Sequence, residues 1–353
     1  MRAIVADRRE TGLRYNDCLP SVTVVVPTLH CGENLRQCVD SLLAQTWQEL
    51  VIVVVDNSGE GKAHALLPDS PRLRVLENPG NAGFGAAVNR GFREFSADYL
   101  ATINDDATAA ENWVESLVEA LESDPAAGMA ASKVVLAGTE QLDSAGMNIA
   151  RDGSSRQRGH LEPERFHNEP CEVLLPSGSA AIYKRAMLEQ TGLFEEDFFL
   201  YCEDTDLGLR GRWAGWRCLY VPRARAAHRY SASAGVASPL KAWLVERNRL
   251  RLVVRNFPLS MICSSFIWAA ARYFWHAVDL VFGHGKAAEF RRREGGAWRL
   301  PWLVLKAHLD LVRHLPRLLA QRRSLRRACR IPARQFRALL KRFSMPVRRV
   351  ASW

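Results

Sequence analysis

Short runs of apolar, mostly β-branched residues recur through the first third of the chain and constrain its fold more than any other feature. They predict four buried strands, at residues 21–27, 50–55, 73–77 and 99–103. Three of these runs are followed by segments with apolar residues at helical spacing, at 34–46, 83–95 and 111–123. Strands that alternate with helices predict an α/β fold with a Rossmann-like, mostly parallel sheet and flanking helices.

Polar residues follow the predicted strands at their carboxyl ends. In a doubly wound sheet, ligands bind just beyond that edge. The polar residues that the sequence places there are Thr28, Asp56, Asn57, Asn104, Asp105 and Asp106. We therefore expect one ligand site that is built from these side chains.

The cluster Asn104-Asp105-Asp106 is the most informative group at this edge. Two adjacent carboxylates repel each other unless a cation is present. Mg²⁺ or Mn²⁺ prefers oxygen ligands, bridges to diphosphate oxygens and would neutralise a departing nucleoside diphosphate. The alternative is a loop that these side chains cap without an ion.

Three further features each allow two interpretations. Asp56 can accept a hydrogen bond from the imide N–H of uracil or thymine, but the run 56–59 (DNSG) is equally typical of a turn. The run 203–206 (EDTD) can supply a general base or cap a helix. His228 can ligate a metal, although a single histidine is more often structural.

The glycine-rich segment at 80–85 (GNAGFG) follows the third predicted strand. Its spacing is G-x-x-G-x-G, which differs from the fingerprint of dinucleotide-binding proteins. We interpret it as a loop that opens a helix and can approach a diphosphate with its backbone N–H groups.

Together these segments resemble glycosyltransferase family 2, in its bacterial rhamnosyltransferase-like branch. The resemblance covers about residues 20–258. The matching segments, in the family's order, are VVVPTLHCGENLRQCVDSLLAQT, VVDNSG, ENPGNAGFGAAVNRGF, INDDA, LPSGSAAIYKRAMLEQTGLFEEDFFLYCEDTDLGLRGRWAGWRCLYVPRARAAH and ERNRLRLVVRNFP. The resemblance implies a GT-A fold and a metal-dependent hexosyltransferase that inverts the anomeric carbon of a nucleotide sugar.

The resemblance also implies roles for individual residues. Asp204 matches the catalytic base of the family, and Asp106 matches the final aspartate of its D-x-D metal motif. His228 matches a histidine that can complete the metal shell. Because Asn104 replaces the first aspartate of the motif, either Asn104 or Asp105 could help to hold the Mg²⁺ or Mn²⁺ ion.

The remaining site residues divide between donor and acceptor. Those assigned to donor binding are Pro27, Thr28, Asp56, Asn81, Gly83, Asn104, Asp105 and Gly178. Those assigned to the acceptor are Glu203, Trp213 and Trp216, with core packing as the alternative for the two tryptophans. By resemblance, the donor is a dTDP-sugar, with dTDP-rhamnose first, or a UDP-sugar. The acceptor is a glycan or a polyprenyl-linked oligosaccharide in the synthesis of a cell-surface polysaccharide.

Positive charge is concentrated at the end of the chain. Residues 285–353 contain 19 Lys and Arg against three Asp and Glu, a net charge of +16, so the remainder carries −6 of the total +10. The apolar segment 259–282 is interrupted by Arg272, His276 and Asp279, and its uninterrupted apolar part is too short to span a bilayer, which takes about 20 residues. We expect an interfacial helix and arginines that face anionic lipid. The alternatives are a solvated helical extension or a contact between copies of the chain.

These patterns divide the chain into three parts. We expect an N-terminal extension at 1–20, a GT-A catalytic domain at 21–258 and a basic, helical, membrane-associating region at 259–353. Within the catalytic domain, the Gly-, Ser- and Arg-rich stretch 143–168 is expected to be a mobile loop.

Two other classes of protein were weighed. A sugar nucleotidylyltransferase would need a G-x-G-x-R loop after the first strand, where residues 27–30 read PTLH. A nucleic-acid-binding or lipid-binding protein would use the basic tail. However, no helix-turn-helix or RNP signature is evident, so no nucleic-acid partner is expected.

The eight cysteines form no C-x-x-C pair, and their spacing suggests neither a zinc site nor a disulfide framework. The first 17 residues contain no apolar signal segment. We therefore expect reduced thiols and a cytoplasmic protein that lies peripherally at the inner face of the cell membrane.

Overall fold

The computed structural model describes residues 19–229, 238–294 and 296–352, so most of the predicted N-terminal extension lies outside it. A ten-stranded sheet forms the centre of the described part, and a three-stranded sheet (β8, β9, β13) lies beside it. The strands are β1 (Val22–Thr28), β2 (Leu50–Asp56), β3 (Leu73–Glu77), β4 (Tyr99–Ile103), β5 (Ala107–Ala109), β6 (Ala127–Leu136), β7 (Leu142–Ser144), β8 (Met147–Ala150), β9 (Ser155–Gln157), β10 (Cys171–Val173), β11 (Ala180–Lys184), β12 (Arg217–His228) and β13 (Ser344–Met345).

The main sheet runs in the order β10-β12-β6-β11-β4-β1-β2-β3, with β5 and β7 added antiparallel to β12 and β6. The pairings make six of these eight strands point the same way, and β10 and β11 the opposite way. The predicted Rossmann-like, mostly parallel sheet is therefore confirmed.

Helices cover both faces of the sheet. They are α1 (Glu33–Leu43), α2 (Ala63–Leu66), α3 (Phe84–Glu94), α4 (Trp113–Ser123), α5 (Arg185–Thr191), α6 (Glu203–Trp213), α7 (Pro239–Asn256), α8 (Leu259–Val281), α9 (Gly285–Glu294), α10 (Arg299–Arg327), α11 (Ala333–Arg342) and α12 (Val347–Ala351).

The alternation of side chains along the strands produces two cores. Val24 packs with α1 and α4 on one face of the sheet, whereas its neighbour Val25 packs with α3 on the other. Both valines are fully buried. A strand that buries alternate residues on both faces reads as a continuous apolar run, which explains the pattern in the sequence.

The predicted mobile loop at 143–168 is wrong. The segment contains most of β7, all of β8 and β9, and a 3-10 turn at Glu164–Phe166. Ile149 lies in an apolar core, and the carboxylate of Asp152 binds Arg272 of α8 at 2.6 Å. Its polar residues are paired inside the protein, which composition alone does not reveal.

The helical C-terminal region is confirmed and packs against the rest of the chain. Helix α10 lies along α7 through Leu250, Val254, Ala307, Leu311 and Leu318. Strand β13 pairs with β8, so the end of the chain returns to the small sheet. Within the described ranges, no helix is both long and apolar enough to cross a membrane. The proposed boundary at residue 258 stays a prediction.

A buried ion network ties α6 to α7. Asp206 is fully buried and accepts hydrogen bonds from Arg210 at 2.8 Å, from Arg255 at 2.9 Å and from Asn256 at 2.7 Å. Although burial opposes it, the two guanidinium groups hold the pKa of Asp206 well below its usual range. The carboxylate is therefore charged and depends on both arginines.

Arg255→Ala should lower the free energy of unfolding by about 3–5 kcal/mol, because it leaves part of a buried charge unpaired. Urea denaturation at pH 7 measures this change. Arg334 is exposed on α11, and Arg334→Ala is the matched control, expected within about 0.5 kcal/mol of wild type. Equal stabilities for the two variants would contradict the role assigned to the network.

Candidate active site

The direction of the strands collects the predicted polar residues at one edge of the sheet. β4, β6 and β12 are parallel to one another, so Asn104 to Asp106, which follow β4, lie on the same side of the sheet as His228, the last residue of β12. The reversed strand β11 begins at this edge, which brings Gly178 there as well. The carbonyl of Gly178 accepts a hydrogen bond from Thr102 at 3.0 Å.

Asp106 and His228 form a buried pair at this edge. Asp106 Oδ1 lies 3.0 Å from His228 Nε2, and Asp143 Oδ2 lies 2.8 Å from His228 Nδ1. Although burial lowers it, the hydrogen bonds with Asp106 and Asp143 raise the pKa of His228 to about 10. Asp143 fixes the orientation of the ring and leaves Nε2 facing Asp106.

The pair could hold a divalent ion that displaces the proton between His228 Nε2 and Asp106 Oδ1, since a histidine binds metal in its neutral form. Two ligands at right angles about Mg²⁺, each at about 2.1 Å, lie roughly 3 Å apart, as Asp106 Oδ1 and His228 Nε2 do. A histidine whose second nitrogen bonds a carboxylate is the usual arrangement at metal sites. No group of three or more His, Cys, Asp or Glu suited to a metal occurs among the described residues. Phosphate oxygens and water would therefore complete the shell, as is usual for Mg²⁺.

Asp204 sits in the first turn of α6, after a turn with unusual backbone angles. Phe199, Tyr201 and Cys202 all have positive φ, between 64° and 72°. Such angles cost about 1–3 kcal/mol each and persist only where the surroundings impose them. Asn248 of α7 imposes them here, since its amide donates to the carbonyls of Phe198, Leu200 and Tyr201 at 2.8–2.9 Å.

The carboxylate of Asp204 is held in place by backbone donors. Its Oδ2 accepts from Gly178 N at 3.0 Å, and its Oδ1 accepts from Thr205 N at 2.6 Å. Burial raises the pKa of Asp204 in spite of these bonds. Burial, helped by the charge of Asp204, raises the pKa of the neighbouring Glu203 to about 8. At pH 7 Glu203 is therefore mostly protonated.

The raised pKa of Glu203 gives a pH-dependent prediction. Unfolded Glu203 ionises near pH 4.5, whereas the folded protein keeps the proton up to about pH 8. As the pH rises from 4.5 to about 8, the free energy of unfolding of the wild type should fall by several kcal/mol relative to that of Glu203→Gln. Above about pH 8 the difference between the two proteins should stay constant. Urea denaturation across this range measures the difference, and parallel curves throughout would contradict the assignment.

One cavity of about 770 Å³ joins these groups. The predicted site residues that line it are Asn104, Asp106, Gly178, Glu203, Asp204 and His228. Those that do not line it are Pro27, Thr28, Asp56, Asn81, Gly83, Asp105, Trp213 and Trp216. The structure thus brings the residues predicted for the metal and the base together with Asn104, Gly178 and Glu203.

Residues 23–192 match the family model described as "Glycosyl transferase family 2". The chain is also 28% identical over 247 residues to the N-acetylglucosaminyl-diphospho-decaprenol L-rhamnosyltransferase of Mycobacterium tuberculosis. That alignment covers 62% of this chain and 78% of the relative. Residues 23–192 thus have the sequence of a glycosyltransferase family 2 domain.

Two further comparisons agree with the family. The O-antigen biosynthesis protein RfbC of Myxococcus xanthus is 30% identical over 227 residues, covering 61% of this glycosyltransferase and 18% of RfbC. A solved structure of GalNAc-T7 with UDP, GalNAc and Mn²⁺ superposes with a TM-score of 0.56 at 15% identity, covering 86% of this chain and 59% of that one. This second likeness concerns the fold, which is GT-A.

Two donor residues of the glycosyltransferase are engaged in local structure. Asp56 accepts hydrogen bonds from the backbone N and the hydroxyl of Ser58 and from Ala63 N, so it caps the turn that follows β2. Asp105 accepts from the Thr28 hydroxyl at 2.6 Å, and burial raises its pKa to about 6. The nucleobase and donor roles of these residues stay predictions.

Gly83 lets the donor loop approach the turn that carries the base. Its φ is +88°, and a Cβ built on it would lie 2.4 Å from the carbonyl oxygen of Phe199. The same carbonyl accepts from Phe84 N at 2.8 Å, at the start of α3. Asn81 closes the loop by accepting from Gly83 N at 2.9 Å. The loop therefore opens a helix as predicted and contacts the turn before Asp204.

Trp213 and Trp216 pack against other residues in the structure, as the alternative to an acceptor platform predicts. Trp213 is buried, stacks on Phe336 at 3.8 Å between ring centroids, and donates to the carbonyl of Asn256. Trp216 packs against Gly128. Neither ring lines the cavity.

Two residues of the site were missed from sequence. Asp143 lies in a stretch that was interpreted as a loop, and Asn248 lies in a segment that was noted only as part of the family resemblance. Asp143 had a detectable signal, since the apolar residues at 142, 147 and 149 indicate buried strands. Asn248 had none, because its role depends on the turn it meets in space.

Proposed function

We propose that the protein is a metal-dependent, inverting glycosyltransferase that moves a sugar from a nucleoside diphosphate to a lipid-linked glycan. The observation that carries the proposal is the placement of Asp106, His228 and Asp204 around one cavity. The named substrate of the M. tuberculosis relative, an N-acetylglucosaminyl-diphospho-decaprenol, supports the class of acceptor.

In the proposed reaction, Asp204 accepts the proton of the acceptor hydroxyl as that oxygen attacks the anomeric carbon from the face opposite the diphosphate. Gly178 N and Thr205 N hold the carboxylate in place during the transfer. Asp106 and His228 would hold the ion, with Asn104 rather than Asp105 beside them, because Asn104 lines the cavity. A bound Mg²⁺ or Mn²⁺ stabilises negative charge on the departing diphosphate.

The exposed face of the C-terminal helices supports a position at an anionic membrane. Its large exposed apolar residues on and beside α8 and α10 include Ile267, Phe274, Val281, Trp298, Trp302, Leu309 and Val312. Exposed apolar area of this kind, beside clustered arginines, is typical of surfaces that bind lipid headgroups and acyl chains. Flotation with vesicles of anionic and of neutral lipid tests this position. Self-association in sedimentation, without vesicle binding, would favour a contact between copies instead.

Calorimetry with dTDP-rhamnose and UDP-sugars, with and without Mn²⁺, tests the enzyme itself. Binding of one donor that requires the metal is the expected result, and NMR of the product reads the anomeric configuration. Folded protein that binds no donor with any metal, or a product that retains the configuration, would contradict the proposal.

A further inference from the structure

Two hydroxyl groups join the candidate base to the small sheet. The hydroxyl of Thr205 donates to Asp204 Oδ1 at 3.1 Å, and the hydroxyl oxygens of Thr205 and Ser155 are 2.8 Å apart. We propose that Ser155 and Thr205 are positioning residues, which act as one hydrogen-bonded chain and hold the carboxylate of Asp204 ionised and in one orientation. The inference rests on the proposed function for the role of Asp204 as the base.

The direction of these hydrogen bonds follows from the number of protons. An ionised carboxylate can only accept, and a hydroxyl has one proton to donate. Thr205 therefore donates its proton to Asp204 Oδ1, and the bond between the two hydroxyls is donated by Ser155. Both bonds then point toward the negative charge, an arrangement in which each bond strengthens the next.

The chain makes the two carboxylate oxygens of Asp204 different. Oδ1 accepts from the backbone N of Thr205 at 2.6 Å and from its hydroxyl, so both of its lone pairs are engaged. Oδ2 accepts from Gly178 N at 3.0 Å. The proton of the acceptor hydroxyl therefore goes to Oδ2. As it leaves, the acceptor oxygen bonds the anomeric carbon, and the bond from that carbon to the diphosphate oxygen breaks.

The two hydroxyl groups differ in their access to the cavity. Thr205 has no exposed surface, whereas Ser155 is half-buried and lines the cavity together with Asp204. A buried hydroxyl requires hydrogen-bond partners, and Thr205 finds them in the base and in Ser155. Because water does not reach Thr205, its bond to the carboxylate is stronger than the same bond would be at the surface.

The position of Ser155 is fixed by two helices that are distant in sequence. Ser155 begins β9, directly after the turn that joins β8 to β9. In this turn the carboxylate of Asp152 binds Arg272 of α8 at 2.6 Å, and the carbonyl of Asp152 accepts from Arg249 of α7 at 2.6 Å. The turn is therefore anchored at both its side chain and its backbone, and Ser155 meets Thr205 from a rigid support.

Other ionisable groups surround Asp204 and come from several elements. Those nearest in its own segment or in the walls of the cavity are Cys202, Glu203, Tyr183 of β11, Asp106, Arg156 of β9 and Lys241 of α7. Burial raises the pKa of Cys202 and of Tyr183 well above their usual values, so both stay neutral at pH 8. Burial also raises the pKa of Asp105 to about 6. A test of the chain therefore needs a signal that belongs to Asp204 alone.

Carbon-13 NMR of the full chain, labelled at the carboxyl carbons of aspartate, provides that signal, which Asp204→Asn identifies. Burial raises the pKa of Asp204, and the hydrogen bonds from Gly178 and Thr205 oppose the rise. Thr205→Val keeps the shape of the side chain but removes the hydroxyl, so the carboxyl carbon should titrate at higher pH than in the wild type. Thr205→Ser keeps the hydroxyl and should titrate as the wild type does.

A matched control and a second variant complete the NMR experiment. Thr46 is exposed outside the cavity lining, and its hydroxyl donates to the carboxylate of Glu115 at 2.9 Å. Thr46→Val should leave the signal of Asp204 unchanged. Ser155→Ala should raise the pKa of Asp204 by less than Thr205→Val does, and it keeps the test open if thermal unfolding shows that Thr205→Val is not folded. An unchanged signal in Thr205→Val and in Ser155→Ala would overturn the inference.

Kinetics with dTDP-rhamnose, Mn²⁺ and N-acetylglucosaminyl-diphospho-decaprenol test whether the two hydroxyls act as one chain. Thr205→Val should lower the turnover number about tenfold at pH 6 and less at pH 8, because less of the base is ionised at the lower pH. Ser155→Ala should lower it about threefold at pH 6, as expected for a bond between neutral groups. In the Thr205→Val background, Ser155→Ala should cause no further loss, because Ser155 acts through Thr205. An equal loss in both backgrounds would show that Ser155 contacts the acceptor directly and would overturn the chain.

The two measurements separate this inference from the proposed function. If the pKa of Asp204 depends on the hydroxyl of Thr205 as described but the wild type transfers no sugar, the proposed function fails while the hydrogen-bonded chain stands. If the wild type transfers sugar but Thr205→Val changes neither the carboxyl signal nor the pH profile, the inference fails while the proposed function stands. A loss of turnover in Thr205→Ser as large as in Thr205→Val would assign Thr205 to packing and overturn its positioning role.

Discussion

Asp204→Asn is expected to lower the turnover number by roughly 100- to 10,000-fold, the usual contribution of a general base. Asparagine has the size of aspartate and can still accept hydrogen bonds from Gly178 N and Thr205 N, so the turn should keep its shape. It cannot take the proton of the acceptor hydroxyl. Donor affinity should therefore remain within about threefold of wild type, because the donor does not need that proton transfer.

Steady-state kinetics with a saturating acceptor, together with donor calorimetry, measure both quantities. Asp69 is exposed, and Asp69→Asn is the matched control for the loss of one carboxylate. Turnover close to that of wild type in Asp204→Asn would remove Asp204 as the base. A loss of donor binding as large as the loss of turnover would show that the residue supports the fold of the site instead.

Asp106→Ala should abolish the part of donor affinity that depends on Mn²⁺, by at least roughly 100-fold. The expectation follows from the carboxylate oxygen that faces His228 Nε2 at 3.0 Å, because these two atoms are the proposed protein ligands of the ion. Loss of an outer partner of a metal ligand typically costs about 10- to 100-fold, and loss of the ligand itself should cost more.

Substitutions at two neighbouring residues should lower the metal affinity less than Asp106→Ala does. Asp143→Asn keeps the size of the side chain but weakens its hold on His228 Nδ1, so we expect a loss of metal affinity of about 10- to 100-fold. Asp105→Asn should have a smaller effect than Asp106→Ala, because Asp105 binds Thr28 and does not line the cavity. Calorimetry with Mn²⁺ and the best donor gives this ranking. The reverse order for Asp105 and Asp106 would contradict the metal assignment.

The turn and the helix that carry the candidate base are held by α7. This helix supplies Asn248, which holds the turn before Asp204, and Lys241, which lies beside that turn. It also supplies Arg255, which pairs with Asp206 of the helix that carries the base. Helix α7 therefore contributes to the geometry of the site.

Several features of the protein could be predicted from the sequence because they depend on local order. The valine runs at β1 and β2 are buried on both faces, so their continuous apolar character gave the strands and the α/β class. Asn104 to Asp106 and Asp204 were found because a strand end and a helix start are visible in a linear pattern. Family motifs then added roles that the local pattern left open.

Tertiary structure decided which of these residues meet. His228 lies 122 residues after Asp106, and the parallel pairing of β6 with β12, together with the reversed β11 between β6 and β4, brings the two side chains to one edge. The stretch 143–168 was predicted to be a loop, but Asp152 in it pairs with Arg272 of a distant helix. The packing of Trp213 was not predictable because its partner Phe336 lies 123 residues away in the sequence. Local sequence sets the propensity of each segment, but burial and charge pairing depend on neighbours that only the folded chain supplies.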